Sequence, residues 1–152
     1  MLESNSGALQ PHRSVSRLLA FDSGAGIVAG LITLGLSPWI SEWFGWTLGF
    51  THYMGAVNVG YGCYSGILWG LLRSGKLTAG PVTFLVVANS AWAGHCFAQS
   101  YWLFDSASWL GLGQLILEGL FVGVLAYIEA MVLLVANSGK FRAGSENFRQ
   151  NN

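Results

Sequence analysis

Three carboxylic acids stand in stretches otherwise built of apolar residues: Asp22, Glu118 and Glu129. His52, His95, Asn58, Asn89 and Gln114 lie in similar surroundings. A charged group in hydrocarbon costs about 2.5–3.5 kcal/mol on insertion scales, so such groups turn towards the interior of a helix bundle and mark sites of function. Two histidines on neighbouring helices suit axial ligation of haem b, with Gly49, Gly55 and Gly94 leaving room for the ring. With Glu118 added, His52 and His95 form a set suited to zinc or another divalent metal. Asp22, Glu118 and Glu129, together with Asn58, Asn89 and Gln114, form a path for a proton, an ion or a ligand.

The plainer use of the same residues is structural. Asn58, Asn89, Ser90 and Gln114 can hydrogen-bond between helices at about 0.6 kcal/mol each. Asp22 has Arg17 nearby in sequence as a partner, and Glu129 has Arg73 within snorkelling reach. Three buried acids are nevertheless more than packing requires.

Spacing sets the depth of each group. His52 lies six residues from Trp46 and His95 seven from Trp102. At ~1.5 Å per residue both sit roughly 10 Å inside a belt of tryptophans, with Glu118, nine residues from Trp109, slightly deeper. Glu129 follows Glu118 by eleven residues, three helical turns plus about 20°, so both acids share a face. Depth leaves open whether His52 and His95 face each other, and no HxxxH, ExxH or CxxCH motif anchors them.

The elements that must hold these groups follow from composition. The chain has 152 residues, 53% apolar and 9% charged, with a net charge of zero. Its mean hydropathy is +0.50. Seven Lys and Arg with seven Asp and Glu cannot cover a water-soluble sphere of this size, since ordinary domains are about a quarter charged. The apolar content excludes disorder, and the zero net charge excludes a nucleic-acid binder. What remains is an all-α polytopic membrane protein.

Four apolar stretches, at about 18–36, 46–72, 79–104 and 109–136, are each near or above the ~20 residues that cross ~30 Å of hydrocarbon. Short connections at 37–45, 73–78 and 105–108 make an up-down-up-down four-helix bundle. Residues 1–16 and 137–152 read as polar tails around one transmembrane domain, 17–136. The first stretch reads as a retained helix, because it is long, contains Asp22 and has no small-x-small cleavage site in a convincing place.

Charge gives the orientation. Arg13, Arg17, Arg73, Lys76, Lys140, Arg142 and Arg149 all fall in the two tails and the second connection, whereas the first and third connections carry Glu42 and Asp105. The positive-inside rule then places both termini in the cytoplasm, in the cytoplasmic (inner) membrane. Trp39, Trp43, Trp46, Trp102 and Trp109, with Tyr101 and Phe104, fall at the opposite face as an aromatic belt. The pairs Gly26/Gly30, Gly62/Gly66 and Gly119/Gly123 have the GxxxG spacing of closely packed membrane helices. Cys63 and Cys96 differ in depth by on the order of 14 Å, too far for a disulfide. No CxxC, nucleotide-binding or GxSxG motif is present, so an enzyme is not expected.

Three segments carry a resemblance: Leu18-Leu19-Ala20-Phe21-Asp22-Ser23-Gly24, Val87-Ala88-Asn89-Ser90-Ala91-Trp92 and Leu125-Ala126-Tyr127-Ile128-Glu129. In these the chain resembles the small bacterial four-helix membrane proteins described as DoxX-like. The resemblance implies a four-helix membrane fold and brings no activity, and His52 and His95 lie outside it. The expected role is an accessory or binding subunit. It would pack against partner membrane proteins or copies of itself, or enclose a small apolar ligand. The alternatives are a haem or metal protein using His52, His95 and Glu118, and proton or ion transport along Asp22, Glu118 and Glu129.

Overall fold

The computed structural model describes the backbone of residues 9–150 and the side chains of residues 15–78 and 80–131. Five helices make up the described chain, with no strand among the described residues. They are α1 (Leu9–Gly35), α2 (Ser37–Phe44), α3 (Leu48–Arg73), α4 (Ala79–Trp102) and α5 (Trp109–Gln150). Helical backbone thus extends into both stretches read as polar tails; residues 1–8 and 151–152 lie outside the described residues, as do the side chains of Arg13, Lys140, Arg142 and Arg149.

Two helical stretches, Val15–Gly35 and Trp109–Met131, are long and apolar enough to cross a membrane. Only 11% of the α1 stretch is buried, whereas the core helix of a water-soluble protein is mostly buried. Phe21, Val28, Phe84, Val87, Leu117 and Val124 are each more than half exposed. Such surfaces are stable only where something apolar covers them.

The segment 37–45, read from sequence as a connection, contains the short helix α2. Pro38 is the cause of both its start and the break before it. Proline lacks the N–H that would continue α1 and its ring crowds the carbonyl four residues back, yet it suits the first turn of a new helix. Gly45 then adopts left-handed backbone (φ 65°) and ends α2. Thr47 caps α3, its hydroxyl accepting from the Phe50 amide at 3.2 Å. Ser108 does two jobs: its hydroxyl accepts from the Gly111 amide at the start of α5 and donates to the Trp43 carbonyl at 2.6 Å. Its own amide donates to the Phe44 carbonyl at 2.9 Å, so the α2–α3 and α4–α5 connections are fastened together at one end of the bundle.

The helices associate as two close pairs, α1 with α3 and α4 with α5, and the pairs meet at fewer places. Glycine makes the first pairing possible. A Cβ on Gly30 would lie 2.7 Å from the Gly55 carbonyl oxygen, and one on Gly62 would lie 2.6 Å from the Ile27 nitrogen. The α1 and α3 backbones are therefore closer than any larger residue allows, the geometry that GxxxG spacing serves. Gly119 of α5 similarly faces the Ala93 carbonyl and Cys96 of α4, at 3.3 Å from an added Cβ. Two buried clusters cross between the pairs: Trp46, Met54, Trp92, Cys96 and Leu115 towards the fastened end, and Leu19, Leu68 and Leu85 towards the other.

The aromatic belt is present with one correction. Trp39, Trp43, Tyr101, Trp102, Phe104 and Trp109 are exposed at the fastened end, but Trp46 is buried, 7% exposed, and packs edge-on against Phe44 and Phe50. The tight connection at Gly45 turns it inwards.

Candidate functional site

A cavity of about 280 Å³ lies where the two helix pairs meet. Its walls come from four helices: Asp22, Gly26 and Thr33 on α1, Asn58 and Tyr61 on α3, Asn89 and Trp92 on α4, and Gln114, Glu118 and Phe121 on α5. Five of the six residues read from sequence as a ligand or proton path therefore share one space: Asp22, Asn58, Asn89, Gln114 and Glu118.

Glu118 is the centre of the site. Its Oε1 accepts from Asn58 Nδ2 and from Trp92 Nε1, both at 3.0 Å, and its Oε2 accepts a longer bond from Gln114 Nε2 at 3.4 Å. Donors from α3, α4 and α5 thus converge on one carboxyl group, and the Asn58 contact ties one helix pair to the other. Tyr61 adds a second tie across the same seam, its hydroxyl donating to the Ala88 carbonyl at 2.8 Å.

Asp22 accepts a short hydrogen bond from Ser65 within the α1–α3 pair, rather than pairing with Arg17. Glu129 is one step behind the cavity wall. It is 3% exposed, and its Oε2 accepts from Nδ2 of Asn89 at 3.1 Å. Its Oε1 is buried with no hydrogen-bond partner among the described residues. Arg73, the cation within its reach in sequence, instead lies over the Trp69 ring, 5.2 Å from the centroid. Among the described residues, no basic side chain lines the cavity.

The two histidines are not brought together. His52 hydrogen-bonds through Nε2 to Ser37 at 2.8 Å, on the side of α3 that meets the α1–α2 junction. His95 stacks on Trp92, with centroids 5.0 Å apart and planes at 21°, and meets the edge of Tyr53. Among the described residues, no group of three or more His, Cys, Asp or Glu is arranged to hold a metal ion. His52, His95 and Glu118 thus form no such three-residue group among the described residues, and the two histidines have different neighbours.

Sequence reasoning missed Tyr61, Ser65, Trp92 and Phe121. Three of them had a usable signal. Tyr61 is three residues after Asn58, Trp92 three after Asn89, and Phe121 three after Glu118, so each shares a helix face with a polar residue already singled out. Ser65 shows no such mark. Comparison with protein-family models, curated proteins and solved structures finds no match.

Proposed function

We propose that this is a four-span protein of the cytoplasmic membrane, both termini cytoplasmic, whose bundle binds a small cationic ligand beside Glu118. The observation that carries this reading is the cavity itself. Asp22 and Glu118 face it, amides and aromatic residues complete it, and among the described residues no basic side chain lines it. An entering cation supplies the missing charge where hydration is poor, which is the setting in which intramembrane acids act. The carboxyl and amide groups in the lining favour such a ligand over a wholly apolar one.

Support for four spans comes from length and surface. Helices α3 and α4, with 26 and 24 residues, extend about 39 and 36 Å, enough for the ~30 Å hydrocarbon core. They contribute Asn58, Tyr61, Asn89 and Trp92 to the cavity. Exposed aromatics gather at one end, and Arg73 and Lys76 lie in the connection at the other.

Cysteine labelling in vesicles tests both parts. In a Cys63→Ala background, with Cys96 fully buried, Ala25→Cys places a thiol on the cavity wall. Two unit charges about 8 Å apart at an effective dielectric near 20 interact by about 2 kcal/mol. A cationic ethylammonium methanethiosulfonate should then react at least ~10-fold faster than its anionic sulfonate counterpart. In Glu118→Gln this preference should fall, with Asp22 left as the one acid on the cavity wall. Equal rates in the parent protein, or no labelling, would overturn the cavity reading. In the same vesicles Lys76→Cys should react only from the cytoplasmic side and Ser106→Cys only from the other; any other pattern rejects the topology.

A further inference from the structure

We infer that the cation is an organic ammonium ion with apolar substituents, taken up from the bilayer through the seam between α1 and α5. The inference rests on the cation-binding reading above and adds the chemical class of the ligand. Size comes first. A space of about 280 Å³ holds roughly nine waters at ~30 Å³ each, far more than a dehydrated metal cation fills. A hard cation also needs about six to eight oxygens converging at 2.3–2.6 Å. Here Glu118 Oε1 is already shared by two N–H donors, and no metal-holding cluster exists among the described residues.

The walls supply the second argument. Tyr61, Trp92 and Phe121 stand beside Asp22 and Glu118, so carboxyl groups and aromatic side chains border the same space. Aromatic rings attract organic ammonium ions through their quadrupoles, and most strongly where water is excluded. Asp22 takes its one hydrogen bond on Oδ2, which leaves Oδ1 without a hydrogen bond among the described residues.

The third argument is the position of the opening. Helices α1 and α5 touch little, and the cavity residues between them, Ala29, Gln114, Leu117 and Phe121, are exposed. Leu117 is 65% exposed on the surface that the lipid covers. Just beside them, Phe21 of α1 meets Phe121 of α5 edge to face, with centroids 6.3 Å apart. A ligand with its charge at Glu118 and its apolar substituent at Leu117 and Phe121 leaves neither group in the wrong medium.

Equilibrium dialysis of the purified full-length protein with labelled benzyltrimethylammonium tests this. Saturable binding is expected, with tetramethylammonium a weaker competitor and potassium ion no competitor. Glu118→Gln should weaken binding by at least ~30-fold, the loss typical of removing one charge from a buried pair. Glu118→Asp, which keeps the charge, should retain measurable binding and guards against misfolding of the amide variant. Phe121→Leu keeps an apolar side chain without the ring and should weaken binding about 3- to 30-fold. Displacement or sole binding by potassium or sodium would overturn the ammonium assignment while the thiol-labelling preference stood. Absence of any cation binding together with no labelling preference would overturn both readings.

Discussion

Replacing Asn58 by leucine, a residue of similar size, removes the amide that donates to Glu118 Oε1 at 3.0 Å. The carboxyl keeps Trp92 Nε1 at 3.0 Å and the longer Gln114 contact at 3.4 Å. A hydrogen bond to a charged group contributes about 1.5–3 kcal/mol in soluble proteins. Between membrane helices the average polar contact is nearer ~0.6 and the largest ~1.7. For a half-buried contact that joins the two helix pairs, Asn58→Leu should cost about 1–1.5 kcal/mol. Gln114→Leu, which breaks a long bond from an exposed residue, should cost less than about 0.5 kcal/mol. Reversible unfolding in mixed micelles of rising dodecyl sulfate fraction, followed by far-ultraviolet circular dichroism, measures both. The cause is isolated by repeating Asn58→Leu in a Glu118→Leu background. There the amide has lost its acceptor and the further change should be within about 0.5 kcal/mol of zero. Equal costs of Asn58→Leu in the two backgrounds, or a Gln114→Leu cost matching that of Asn58→Leu, would refute Glu118 as the point where the pairs are joined.

Two further outcomes are expected in the same unfolding assay. Gly62→Ala should destabilise by about 1–3 kcal/mol, because its Cβ would meet the Ile27 nitrogen at 2.6 Å and the Ser23 carbonyl at 2.8 Å, both backbone atoms of α1. Gly70→Ala on the same helix has nothing within 4 Å and should be neutral or stabilising by up to about 1 kcal/mol, so equal effects would contradict the α1–α3 packing. Glu129→Leu alone leaves the Asn89 amide without its acceptor and should cost about 1–3 kcal/mol. Asn89→Leu with Glu129→Leu exchanges a buried polar pair for apolar groups and should be neutral or stabilising by about 1–4 kcal/mol; a double variant less stable than the single one would make the pair a structural tie.

Which polar residues gather was partly legible in the sequence, and their azimuths were not. Asp22, Asn58, Asn89, Gln114 and Glu118, grouped from sequence as one path, line one cavity, and counting from the tryptophan belt set Glu118 slightly deeper than the two histidines. The same counting matched His52 to His95, yet one faces Ser37 and the other Trp92. Helices apolar on every side carry no stripe to say which neighbour each face meets. For the same reason the pairing of α1 with α3 and α4 with α5 was hidden, although the Gly26, Gly30 and Gly62 spacing marked surfaces of close approach. Helix α2 was missed because Pro38 reads as a breaker, whereas here it opens a new turn. The inward turn of Trp46 follows from left-handed backbone at Gly45, which sequence position alone does not reveal.

The way Glu118 is held has a consequence for protons. Its three partners, Asn58, Trp92 and Gln114, all present N–H groups. A hydroxyl or a water can take a proton on one side while releasing another, which is how a charge hops along a hydrogen-bonded wire. Amide and indole nitrogens cannot, since they give a hydrogen bond without a lone pair to receive the next proton. Among the described residues, the donors around Glu118 therefore offer no such wire on the protein side, and the carboxyl otherwise borders the cavity. Asp22, bonded to the Ser65 hydroxyl, is wired differently. Two acids bordering one space thus differ in kind: Glu118 is met by N–H donors, and Asp22 by a hydroxyl, a group that can both give and accept a hydrogen bond.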